Sequence, residues 1–275
     1  MDLYYWNTSG LGAGVEQLSV GKAGAISAAL MREVDGDGIS SASNSDDHNV
    51  SVNNLDLRWA QIPMWSDASL EVGVNYFMPS LNDAQDDANV NDDKAVMLTA
   101  EYTQGNFFGG FNKFTVQYAD NGAAGQLISN HAGSGFWGGD QSQRSSYRVI
   151  DWGTVAFTDK IEMGYVALYA NMDRGNESSK DNTWFSIGVR PMYKWDQVMK
   201  TVAEIGYDDT DMWDSGLKEK LQKYTLAQAW SAGSNIWARP ELRAYVTYAK
   251  SDNDNKFGTG KNDNTSIGFQ AEAWW

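Results

Sequence analysis

The sequence predicts an all-β fold, a transmembrane antiparallel up-and-down β-barrel. Three observations carry this reading. Segments with period-two alternation recur along all 275 residues, and the connections between them alternate short and long. The last segment, Thr265 to Trp275, keeps an apolar face to its final residue. Ile267, Phe269, Ala271, Ala273 and Trp275 share one side of that strand, and Ser266, Gly268, Gln270, Glu272 and Trp274 share the other. Side chains of a strand alternate between its faces, so this is one apolar and one mostly polar face. Chain ends in water usually fray. The closing strand of a membrane barrel must instead face lipid and stop at an interfacial aromatic girdle.

Composition agrees with that class and excludes others. A formal charge of −15 provides no positive footprint for a nucleic-acid backbone. The absence of cysteine excludes a disulfide scaffold and a thiolate metal site. Twelve Trp and thirteen Tyr exceed the needs of an ordinary core, while four Pro and 27 Gly suit long strands joined by tight turns. No run approaches the ~20 apolar residues of a membrane helix. The mean hydropathy of −0.50 does not oppose a membrane location, because barrel strands hide their apolarity in alternation. The N-terminal MDLYYW lacks the pattern of a signal peptide. The expectation is that such a peptide has been cleaved or that the chain is incomplete.

Thirteen strands are expected, in order at 12–20, 22–32, 50–61, 68–78, 94–104, 111–120, 146–157, 160–172, 183–194, 197–208, 220–232, 237–250 and 265–275. The clearest separate their faces well. Leu70, Val72, Val74 and Tyr76 oppose Glu71, Gly73 and Asn75; Val96, Leu98, Ala100 and Tyr102 oppose Thr99, Glu101 and Thr103. Phe114, Val116 and Tyr118 oppose Lys113, Thr115 and Gln117. Residues 22–32 and 146–157 have ambiguous faces. Short connections fall near 21, 62–67, 105–110, 158–159, 195–196 and 233–236, and long ones at 33–49, 79–93, 121–145, 173–182, 209–219 and 251–264. The long ones are rich in Asp, Asn, Ser and Gly, as expected of loops outside a membrane whose other side carries only tight turns. No linker divides the chain, so residues 1–275 read as one domain. Thirteen is odd, and the first and last strands of an odd meander run the same way. They cannot close a cylinder by antiparallel pairing, and an open edge in lipid leaves backbone groups unsatisfied.

The stretches LYYW, SGLGAG, TAEYTQ, GFNKFTVQYA, IGVRPMYKW, EIGYD, TLAQAW, IWARPELRAYVTYAK and FQAEAWW occur in order along the chain. In these the chain resembles the maltoporins, trimeric sugar-specific porins of the Gram-negative outer membrane. The resemblance implies a porin-type barrel of eighteen strands, of which this chain supplies about thirteen. Residues 1–11 would be the remnant of an inward-folded third loop. It also implies facilitated diffusion of maltose and maltodextrins, a homotrimer in the complete protein, and no cofactor or catalysis.

Sugar selectivity needs aromatic faces for the apolar sides of pyranose rings, and ionisable groups for their hydroxyls. The sites must be many and weak, so that sugar also leaves. The resemblance places Phe111, Trp237 and Trp274 on a lumenal line of aromatics, Tyr4 opposite that line, and Asp2 among the constriction carboxylates. Parity agrees: Phe111 shares a face with Lys113, Thr115 and Gln117, Trp237 with Arg239, Glu241 and Arg243, and Trp274 with Gln270 and Glu272. Tyr76, Tyr102, Tyr118, Tyr207 and Trp275 read as lipid-facing or girdle residues. Arg58, Arg190 and Arg243 have lumenal parity and read as lining charges.

Other motifs do not assemble a site. The acidic loop 33–49 lacks the full EF-hand pattern, SGFWGGD at 134–140 has no strand-to-helix context, and His48 and His131 are far apart in sequence. No nucleophile–base arrangement is present. Two other readings stand beside the sugar channel: a general porin, and a soluble β protein that binds or cleaves glycans, which as an enzyme would need a carboxylate pair across a cleft. Loops 33–49 and 121–145 would be the contacts for phage or toxins if the surface serves as a receptor.

Overall fold

The computed structural model describes residues 6, 10–34, 51–81, 83, 86, 92–128, 143–175, 180–212 and 216–273. Among them are thirteen strands: β1 Leu11–Ser19, β2 Ala25–Val34, β3 Ser51–Pro63, β4 Ala68–Ser80, β5 Ala95–Phe107, β6 Gly110–Asp120, β7 Ser145–Thr158, β8 Ile161–Asp173, β9 Asn182–Lys194, β10 Met199–Met212, β11 Leu217–Ser231, β12 Glu241–Ser251 and β13 Asp263–Glu272. Each pairs antiparallel with its neighbours in chain order, giving one sheet from β1 to β13. Consecutive hairpins satisfy the backbone between neighbouring strands, the only way sheet can sit in hydrocarbon.

Alternation decides which face is which. Val116 and Tyr118 on β6, Tyr147 on β7, Ile205 on β10, Leu226 and Trp230 on β11, Leu242 and Val246 on β12 and Ile267 and Phe269 on β13 are all exposed. They form the outer, apolar side. The opposite positions carry Asp56, Glu101, Gln117, Arg148, Lys200 and Glu241, all buried on the concave side.

Two connections differ in length from the sequence expectation. Residues 209–219 are not a long loop: β10 and β11 stay paired out to Met212 and Leu217. The polar residues there form a ladder in which Lys218 meets Asp211 at 3.0 Å and Lys220 meets Asp209 at 3.7 Å. Cross-strand opposite charges stabilise a strand pair standing in water, so polarity did not signal a loop. Conversely, the tight turn expected at 233–236 is the nine-residue connection 232–240 between β11 and β12.

The loop after β6 begins inside. Helix α1, Asn121–Ile128, lies on the inner face against β5 to β8. Asn121 turns the chain with φ 43°, a left-handed conformation asparagine tolerates. Its side-chain amide donates to the Lys94 carbonyl at 2.8 Å and its Oδ1 accepts from the Gln143 amide at 3.2 Å. Eight residues make a marginal helix in isolation; this one is held by packing. Ala123 and Leu127 sit on Val52, Phe77, Met97 and Ala119, while Ala124 and Ile128 sit on Ile150, Leu168, Ala170 and Met172. Residues 121–128 are therefore withdrawn from the outward-facing role read for 121–145.

Two outcomes test this fold. Leu226→Arg puts a charge on the outer face and should cost ~2–4 kcal/mol of folding free energy at mid-bilayer. Thr225→Arg, on the inner face, should cost less; urea titration of folding into liposomes measures both. In the turn 195–198, Asp196 accepts from the Val198 and Met199 amides at 2.8 and 2.7 Å, which hold its carboxyl below the ordinary value. A depressed folded pKa stabilises the turn fully above the unfolded value of ~3.9, and the contribution disappears as pH falls through the folded value. The Val198 and Met199 amide resonances should hold their shifts through the ordinary aspartate range and move only below it.

Candidate functional site

The inner wall carries two kinds of group, rings and ion pairs. The ion pairs run round the concave face from strand to strand. Arg58 binds Asp56 at 2.7 Å, Lys113 binds Glu101 at 2.5 Å, and Lys194 binds Glu162 at 3.0 Å. Glu204 lies between Arg190 at 2.6 Å and Lys223 at 2.7 Å. Arg243 bridges Glu241 and Glu272 at 2.7 Å each, and Lys200 holds Glu241 at 2.8 Å with both side chains almost wholly buried. An open cleft of about 360 Å³ is lined by Lys200, Glu204, Lys223, Arg239, Glu241 and Arg243, with Tyr245 and Gln270 beside them. Arg58, Arg190 and Arg243, read from parity as lining charges, are all on this wall and all paired. Arg148 lies deeper, where Gln117 accepts from its Nε and Nη2 at 2.9 and 2.7 Å.

The rings come together from distant parts of the chain. Phe111 is the second residue of β6, on the inner face. Trp237 lies on the 232–240 connection rather than on a strand, which corrects its placement on a strand at 237–250. Its ring nevertheless reaches Phe111, with centroids 6.3 Å apart and planes tilted by 33°. In a flat sheet β6 and β11 would stand five strand spacings apart, roughly 24 Å. Ring contact therefore needs both the curl of the sheet and the inward reach of the connection. Trp237 keeps 40% of its surface exposed. Trp152 of β7 meets Phe111 edge to face at 5.3 Å.

The inward connection is tied down at several points. The Ile236 amide donates to Glu162 Oε2 on β8 at 3.3 Å, the same oxygen that Lys194 engages. Lys200 Nζ donates to the Asn235 carbonyl at 2.9 Å. Arg239 Nη1 donates to the Ile236 and Ala238 carbonyls at 3.1 and 3.0 Å. Asn235 Oδ1 accepts from the Trp237 amide at 2.9 Å. Buried charged partners make such bonds strong, so the Trp237 ring is held by charges at its base.

Trp6 also lies on this face. Its indole donates to Asn75 Oδ1 at 3.1 Å and the Arg58 guanidinium stands 4.3 Å over its ring. Glycine at 73 makes room: a Cβ there would lie 2.2 Å from the Trp6 ring. Asp2, Tyr4 and Trp274 lie outside the described residues. Sequence reasoning did not single out Trp6, Trp152, Glu162, Lys194 or Lys200. Most of the ion pairs join one strand to another, and no spacing within a strand signals them.

A sequence model of the LamB porin family matches residues 1–275. The chain belongs to the LamB porin family. It is 44% identical over 275 residues to the maltoporin of Photobacterium profundum, covering 100% of this chain and 61% of that protein. It is 38% identical over 276 residues to the maltoporin of Hahella chejuensis, covering 100% and 64%. This LamB-family chain thus spans about three-fifths of the length of the curated relatives it matches.

The anchoring of Trp237 is testable. Glu162→Ala removes a charged acceptor worth ~1.5–3 kcal/mol. Exchange of the Ile236 amide should accelerate about tenfold or more in hydrogen–deuterium exchange, while Glu162→Gln should retain part of the protection.

Proposed function

We propose that the whole protein is an outer-membrane channel of a Gram-negative bacterium through which maltose and maltodextrins diffuse, and that Phe111 and Trp237 are stacking positions on its path. The observation that carries this reading is the contact between these two rings, brought from β6 and the 232–240 connection to one place on a wall of ion pairs. A pyranose laid on them would have its apolar face on carbon and its rim hydroxyls toward charged donors and acceptors such as Lys113 and Glu101. Both members of each ion pair already have a partner, so the wall offers many modest hydrogen bonds and no deep trap. That is what passage, as opposed to retention, requires.

Family membership and the names of its relatives support the same reading. Trp274, Tyr4 and Asp2 enter by resemblance, as a further stacking ring, a ring opposite the path, and a constriction carboxylate. Residues 1–11 are read as a remnant of an inward-folded loop, residues 1–275 as part of one barrel domain, and the whole protein as a homotrimer. The segments 33–49 and 129–145 are read as outer loops that a phage or toxin would meet. The family is one of channels, and the protein is read as a channel and not an enzyme. The exposed apolar outer face disfavours a soluble glycan-binding or glycan-cleaving protein.

Liposome swelling tests the channel. Proteoliposomes of the whole protein should swell faster in maltose or maltotriose than in sucrose. Equal rates for sugars of one size would make it a general porin. Recovery in the aqueous phase without detergent would remove it from the membrane altogether.

A further inference from the structure

Beside Phe111 the inner wall carries a third ring that the assigned path does not use. Trp152 is on the inner face of β7, as are Ile150 and Thr154 on either side of it. It lies directly across the strand pair from Lys113, in register Lys113↔Trp152, while Phe111 pairs with Thr154. Its ring meets Phe111 edge to face at 5.3 Å, and Lys113 Nζ stands 5.8 Å from its centroid. Lys113 is in turn fixed by Glu101 at 2.5 Å. Trp152 is half-buried, packed on one side against the cluster that holds α1.

Position along the strands gives the rings an order. β6 and β7 run between α1 at one end and the tight turn 108–109 at the other. Trp152 is two residues nearer α1 than the Phe111–Thr154 pair, a rise of roughly 6.6 Å. Trp237 approaches Phe111 from the turn end. From α1 the rings along the wall are therefore Trp152, Phe111 and Trp237, in that order. Trp152 and Phe111 are perpendicular, at 90°, and form an apolar corner with an ion pair at its rim. A corner of this kind suits a pyranose turning past the helix. One ring takes a carbohydrate face, and the Lys113–Glu101 pair supplies a donor and an acceptor for hydroxyls.

We infer that Trp152 is a further carbohydrate-stacking and specificity-determining residue. It receives a sugar ring between α1 and Phe111, with Lys113 and Glu101 bonding that ring's hydroxyls. The inference rests on the maltodextrin-channel reading above, and the experiment separates the two. Maltotriose is titrated against the ion current of the whole protein in planar bilayers, with each variant normalised to its own open-channel current. Trp152→Leu should weaken maltotriose binding by ~5- to 10-fold, the scale of a lost aromatic contact. Trp152→Phe should keep it within about threefold, since a ring face remains. Phe111→Leu serves as the reference. If Phe111→Leu weakens binding and Trp152→Leu does not, the Trp152 inference is overturned and the channel reading stands. Equal weakening by Trp152→Leu and Trp152→Phe would also overturn it, because packing bulk and not a ring face would then be the cause. If maltotriose never blocks the current of the unaltered protein, the channel reading itself fails, and the inference with it.

Discussion

The structure depends on one constraint: backbone amides and carbonyls surrounded by hydrocarbon must bond to each other. Only consecutive antiparallel pairing does this for a sheet built from one chain in order, and every described strand from β1 to β13 is laid against the next. Once pairing is settled, the pleat fixes everything else. Each residue has one of two sides, and a shift of one position would exchange Leu226 for Thr225 or Val116 for Thr115 at the outer surface. The exposed row of Ile205, Leu226 and Val246 and the inward-facing row of Lys200, Glu204 and Glu241 follow from the same alternation.

Inside, the problem is the opposite: polar groups must be removed from water without being stranded. The chain solves it by pairing charge with charge across neighbouring strands, as at Glu101–Lys113 and Arg190–Glu204–Lys223. Where both members are buried, as at Lys200–Glu241, removing one partner is costly even where the intact pair adds little. The pairs therefore work as spacers that fix where neighbouring rings stand. Trp237 illustrates this. Its connection is held by Glu162 from β8, Lys200 from β10 and Arg239 of its own, three groups brought together only by the curl of the sheet.

Much of the fold was legible because alternation is a local signal. All thirteen strands were readable from the sequence, and so was the outer side of Tyr76, Tyr102 and Tyr118. The failures have physical causes. Residues 146–157 were ambiguous because α1 reverses the usual rule there: Ile150 is apolar and points inward onto the helix. On the outer parity, Asp151 is polar and accepts, with Tyr165, from the Asn112 amide. Residues 22–32 were ambiguous because their inward positions are small, Ala25, Ser27 and Ala29. The far end of the β10–β11 hairpin, within 209–219, read as loop because cross-strand Lys and Asp look like solvent to a composition count. Trp237 read as a strand residue and stands instead on a connection. A nine-residue inward reach leaves no periodic trace, and neither do Glu162 or Lys200, whose partners are far away in the chain.

The pairing of acid with base along the inner wall has one further consequence. Although the chain carries a formal charge of −15, the ion-paired charges of the inner wall each lie within a few ångströms of an opposite charge. Fields from such close couples fall away quickly and are little altered by dissolved electrolyte. A neutral polyol would meet the same surface in dilute and in briny surroundings. The acidic excess elsewhere on the chain would respond to salinity while the paired inner wall did not.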